Sequence, residues 1–113
     1  MNVPKRGDLI FINFNPQAGH EQAGYRPAVI LSPYEFNKMT RFAVLCPITS
    51  KQKGYPFEVV LPKGLNIHGV ILTDQVKSLD WEIRGFKHVD EVPNRIVKEC
   101  LDKIALILSF NEQ

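Results

Sequence analysis

Two cysteines, Cys46 and Cys100, are all that the 113 residues contain. Each stands alone inside an apolar run, where a reduced thiol behaves as a small hydrophobe. Neither a disulfide framework nor a Cys/His zinc spacing can be drawn from them, so no metal site and no cofactor is expected. No apolar run approaches the roughly 20 residues that span a bilayer. The N-terminal stretch from Met1 to Phe14 carries charges, with no small-residue cleavage site behind a clean apolar segment, so no signal peptide is expected. These absences point to a cytoplasmic protein with no membrane partner. Charge of one sign is lacking too. Fourteen basic against twelve acidic residues leave a net +2, too little to argue for nucleic-acid binding unless the placement of the charges does so. Repeats and low-complexity segments are absent. What is present is 44% hydrophobic residues, ample for one core and a single domain over 1–113.

Taken in order, Asp8 to Phe14 reads as a strand between Gly7 and Asn15-Pro16. Pro16 to Tyr25 is a loop, and Pro27 to Ser32 a strand apolar enough to be buried on both faces. Ser32-Pro33 suggests a helix start, with Ser32 as cap and Pro33 at the first helical position, running to about Lys38. Phe42 to Ile48 is a third strand, in which Pro47 argues for an edge, a bulge or an early end. Thr49 to Pro56 is a second polar loop. Strands over Phe57–Leu61 and Gly69–Val76 follow, then a short one over Trp81–Gly85. From Pro93 to about Phe110 the period changes to that of an amphipathic helix: Ile96, Cys100, Ile104 and Leu108 recur every four residues. Short strands without crossover helices should pair antiparallel. The expected fold is mainly β with short helices, a small strongly curved sheet or barrel closed by a C-terminal α-helix.

The stretch from Gly19 to Pro33, GHEQAGYRPAVILSP, joins a polar loop to a buried strand through one cation. Arg26 precedes Pro27, and a residue before proline is pushed into extended backbone. Arg26 should therefore stand at the strand's mouth, held from its C-terminal side.

That stretch resembles the signature segment of the MazF/PemK family of toxin endoribonucleases. GDLIFINFNP at Gly7–Pro16, PIT at Pro47–Thr49, KQKGYPFEVVL at Lys51–Leu61 and GVILTDQVKSLDW at Gly69–Trp81 are similar to successive family blocks, in order and at comparable spacing. The resemblance covers most of residues 6–85. It implies an SH3-like small β-barrel of the CcdB/PemK type and a homodimer. It further implies metal-independent, sequence-specific cleavage of single-stranded RNA, the activity of an mRNA interferase, leaving 2′,3′-cyclic phosphate and 5′-hydroxyl ends. The partner it implies is a MazE-like antitoxin that lays an acidic C-terminal segment over the RNA groove. The family's catalytic arginine falls on Arg26 and its catalytic threonine on Thr49.

These residue types suit that chemistry. A guanidinium is a permanently charged fork matched to phosphate oxygens, suited to the charge that develops in the transition state. A threonine hydroxyl can hydrogen-bond a phosphoryl oxygen or position the 2′-hydroxyl, but is too weak a base to deprotonate it. Glu21 and His20 are the local candidates for that proton. Lys51 and Lys53 flank Thr49 and could contact phosphate. His20, Gln22, Tyr55, Gln75 and Lys77 complete the expected RNA-binding set, Tyr25 and Tyr55 by stacking on unpaired bases. The bland alternatives are a surface Arg26–Glu21 pair, a solvated His20, and His68 and His88 as ordinary surface residues. Trp81 is expected to anchor packing or a dimer contact. Two other functions share the fold: a non-catalytic CcdB-like gyrase-binding toxin, and an inactive RNA-binding regulator.

Overall fold

The computed structural model describes residues 2–109. Seven strands form one antiparallel sheet: β1 (Asp8–Asn13), β2 (Tyr25–Ile30), β3 (Phe42–Thr49), β4 (Glu58–Val60), β5 (Val70–Leu72), β6 (Lys77–Asp80) and β7 (Phe86–Glu91). Helices α1 (Tyr34–Thr40), α2 (Trp81–Arg84) and α3 (Asn94–Leu108) decorate it. The strand order is β4-β5-β3-β2-β1-β7, with β6 also paired to β3. No ladder joins β7 back to β4 among the described residues, so the barrel is open along that seam.

The apolar runs of β1, β2 and β3 are continuous because both faces of the sheet are covered. Register puts Leu9 opposite Val29 and Ile10 opposite Ala28. Leu9, Val29, Cys46, Ile48 and Ile71 pack with Ile96, Val97 and Cys100 of α3. Ile10, Ile12, Ala28, Ile30 and Leu45 pack on the other side with Trp81. Each fully buried aliphatic side chain contributes about 1.5–3 kcal/mol, and a one-residue slip would exchange the two sets. Burial raises the Cys46 thiol far above its ordinary range and the Cys100 thiol to about 12, so both pack as neutral groups.

Several boundaries differ from the sequence reading. Ser32 does not cap α1: the cap position is Pro33, with no side-chain cap bond. The Ser32 hydroxyl accepts from Val44 N at 2.8 Å and donates to Asn37 Oδ1, while Asn37 Nδ2 donates to Pro4 O at 2.8 Å. This buried network outweighs local capping, and the helix runs on to Thr40. Pro47 lies in the central strand, not at an edge. It faces Ala28 on one side; on the other it falls between the β6 register, ending at Leu45, and the β5 register, starting at Ile48. A missing N–H costs little at that step.

The single strand expected over Gly69–Val76 is split by a 3₁₀ turn at Thr73–Gln75, where Thr73 Oγ1 donates to Phe57 O at 2.6 Å. The strand expected over Trp81–Gly85 is instead a helix over Trp81–Arg84, with Gly85 as its C-cap. Asp80 caps it by accepting from Ile83 N at 2.9 Å, and Trp81 is a buried core residue donating to Asn37 O at 2.9 Å. β7 carries no strand signal in the sequence, because FKHVDE is only partly buried and shows no apolar alternation. In α3 the packed stripe fades past Ile104: Leu108 is 73% exposed, and Phe110 lies outside the described residues.

Candidate functional site

The C-terminal end of β3, the turn after β5 and two polar loops enclose a cleft of about 590 Å³. Its deepest polar group is Thr49, the last residue of β3, 7% exposed and paired with Val70. Its hydroxyl accepts from Lys51 N at 3.2 Å, while its own hydrogen has no protein acceptor among the described residues. Backbone packing holds Thr49 in place. Gly69 has φ +124°, and a Cβ there would stand 2.2 Å from Thr49 O. Only glycine permits β5 to begin so close to β3.

The loop after Thr49 carries Lys51, Lys53 and Tyr55, all on the cleft wall. Glu58, at the start of β4, organises it by accepting from Lys53 N at 3.0 Å and Gly54 N at 2.9 Å. Lys53 Nζ lies 5.8 Å from the centre of the Tyr55 ring, a cation placed over an aromatic face. The opposite wall is the loop before β2, with His20 exposed and Gln22 half-buried. This loop is tied to the turn after β5 because Gln75 Oε1 accepts from Gln22 N at 2.9 Å. Gln22 Oε1 is buried without a hydrogen-bond partner, an acceptor that a donor in the cleft would satisfy.

Seven residues expected from sequence therefore line one cleft: His20, Gln22, Thr49, Lys51, Lys53, Tyr55 and Gln75. Three do not line it. Arg26 is half-buried at the start of β2, opposite Ile12, and its Nε donates to Ala23 O at 2.8 Å, one residue beyond Gln22. No carboxylate pairs with it among the described residues, so its fork remains available beside the cleft wall. Glu21 is exposed and its Oε1 accepts from Ala18 N at 3.0 Å, so it shapes the loop; it forms no surface pair with Arg26. Lys77 lies in β6, its Nζ 6.0 Å from the Phe14 ring centre.

Sequence reading passed over Glu58, Leu72 and the cleft-lining place of Asp74. The signal for Glu58 was an acid four residues past Gly54, within reach of a turn's free N–H groups. Tyr25 stacks on Phe11 with ring centres 5.4 Å apart while remaining 61% exposed. Among the described residues the cleft gathers no three His, Cys, Asp or Glu ligand atoms close enough to share one ion.

Residues 5–108 match the family model described as PemK-like, MazF-like toxin of type II toxin-antitoxin system. Over 83 residues, 74% of each chain, the sequence is 54% identical to the endoribonuclease toxin MazF of Escherichia coli K12. It is 37% identical over 109 residues to the endoribonuclease PemK of Escherichia coli, covering 93% of this chain and 82% of that one. The crystal structure of MazF from Deinococcus radiodurans superposes with a TM-score of 0.93 at 45% identity, covering 97% of this chain and all of that one. A MazE–MazF structure from the same organism gives 0.86 at 43% identity over 97% of this chain and all of the other. With the family model spanning nearly every described residue, this chain belongs to the PemK-like, MazF-like toxins of type II toxin-antitoxin systems.

Proposed function

We propose that the chain is the toxin of a toxin-antitoxin pair and acts as an mRNA interferase: a metal-independent endoribonuclease cutting single-stranded RNA at a short sequence. The observation that carries this reading is the cleft itself. A buried threonine hydroxyl, two lysines, an exposed tyrosine and an orphaned amide acceptor converge on one groove. They do so in a chain 54% identical to an endoribonuclease toxin.

Cleavage proceeds by in-line attack of the neighbouring 2′-hydroxyl on phosphorus. The P–O5′ bond breaks as the departing oxygen takes up a proton from solvent, leaving a 2′,3′-cyclic phosphate and a 5′-hydroxyl. Arg26 stabilises the charge gathering on the phosphoryl oxygens. Thr49 donates to one of them through its free hydroxyl hydrogen. His20, the imidazole on the cleft wall, takes the 2′-proton; Glu21 is left to the loop it holds. Lys51 and Lys53 fix the strand by its phosphates, and Tyr55 stacks on a splayed base. Gln22, through its unpaired Oε1, reads a base amino group. An acidic peptide would lie against the same lysines, the natural means of inhibition by an antitoxin. The MazE–MazF structures favour that over a gyrase-binding role.

The direct test incubates purified protein, free of antitoxin, with a long unstructured RNA and its DNA counterpart in EDTA, and sequences the 5′ ends of the fragments. RNA-only cuts with 5′-hydroxyl ends at a shared motif are expected. A 2′-deoxy substitution at the cleaved nucleotide should leave binding intact and abolish cutting. Cleavage of that substrate would overturn the mechanism.

A further inference from the structure

We propose that Asp8, His88 and Glu91 form a binding site for one zinc-class divalent cation, clamping the start of β1 to the end of β7 away from the cleft. His88 Nε2 lies 3.4 Å from Asp8 Oδ1 and 3.8 Å from Glu91 Oε2, and one ligand atom from each residue falls within 4.8 Å of the others. Zinc held at about 2.0–2.2 Å by imidazole and carboxylate has tetrahedral edges of about 3.4 Å, so small movements would close the set around an ion with water fourth.

Two features bring these ligand atoms together. Asp8 is 4% exposed; its Oδ2 accepts from Lys5 N at 2.7 Å, whereas Oδ1 takes no hydrogen bond among the described residues and is the atom nearest His88. That leaves Oδ1, facing the imidazole, free to take a cation. The second feature is backbone. Residues 88 and 91 would face opposite sides of a regular strand. The β1–β7 register, however, shifts between Leu9, opposite Asp90, and Ile10, opposite His88, leaving Val89 unmatched. That bulge brings His88 onto the face shared by the Asp8–Glu91 pair, the re-aiming of a side chain for which bulges serve. No sequence spacing marks the site, because its members come from strands eighty residues apart; the expectation of no metal rested on such spacing.

The experiment takes the full chain stripped with chelator and titrates Zn²⁺ by calorimetry, with Co²⁺ as a visible-absorption probe and thermal melting in parallel. Expected are one bound equivalent, the d–d bands of low-coordinate Co²⁺, and a melting midpoint raised by several degrees. All three should be lost, with at least a tenfold weaker affinity, in His88→Gln and retained in His68→Gln. RNA cutting in EDTA should be unaffected, since the ion is not part of that chemistry. The half-exposed His88 side chain makes His88→Gln a variant expected to fold. Absence of binding, or binding that survives His88→Gln, would overturn the site and leave an ordinary histidine–carboxylate pair.

Discussion

Thr49 and His20 meet at the same cleft from opposite mechanical settings. Thr49 ends a central strand, is almost wholly buried, and has its carbonyl pressed against Gly69. His20 rides an exposed loop whose ties are the Glu21–Ala18 contacts and the Gln22–Gln75 bond beside it. A group held by a ladder keeps its place before the RNA arrives, while a group on a loop follows the strand and reaches its working position once the strand is seated. Arg26 belongs with the first kind, because β2 and the following proline fix its backbone; Lys51, Lys53 and Tyr55 belong with the second.

The division can be broken from the rigid side first. Arg26→Ala should remove about 3 kcal/mol of transition-state stabilisation, roughly a hundredfold or more in cleavage rate, with the melting temperature nearly unchanged. Survival of activity within a few-fold would remove Arg26 from the mechanism. Gly69→Ala forces a Cβ onto Thr49 O and an alanine into positive φ. It should cost about 2–3 kcal/mol of stability, read in a chemical melt, and should cut activity further by displacing Thr49. An unchanged midpoint would show that β5 can retreat freely.

On the loop side the effects shrink. Glu58→Gln weakens the two bonds that shape the Lys51–Tyr55 segment. It should cost about 1 kcal/mol, appearing mainly as weaker RNA binding rather than slower cutting at saturation. A fall in saturated rate alone would mean that this loop carries chemistry. The smallest effect is expected from Lys51→Ala or Lys53→Ala. Each should lower the slope of log affinity against log salt by about 0.7, the value for one lost phosphate contact on a single strand. An unchanged slope would make that lysine a solvated residue.

How legible these settings were differs in the same way. Strands β1 to β3 could be read because covered faces demand apolar residues at every position, and α3 because Ile96, Cys100 and Ile104 keep a four-residue beat. β7 could not, since its partly exposed positions place no such demand on FKHVDE. α2 reads as a strand because Trp81 and Ile83 suit either state over so short a span; the Asp80 cap is the sign that decides for helix. For the cleft, seven expected residues came together because both polar loops leave neighbouring strand ends. The close contact of Gly69 with Thr49, and the role of Glu58, depend on how distant segments meet, which no local pattern records.

The burial of Trp81 also makes the protein its own reporter. It is the chain's single tryptophan, its ring edge-on to Phe86 at 5.9 Å and its indole N–H fixed on Asn37 O. Its fluorescence should be blue-shifted and should move red in one step as the sheet unfolds, while remaining silent to ligands entering a cleft it does not line. Intrinsic emission therefore separates variants that have lost the fold from those that have lost only the chemistry, without a label.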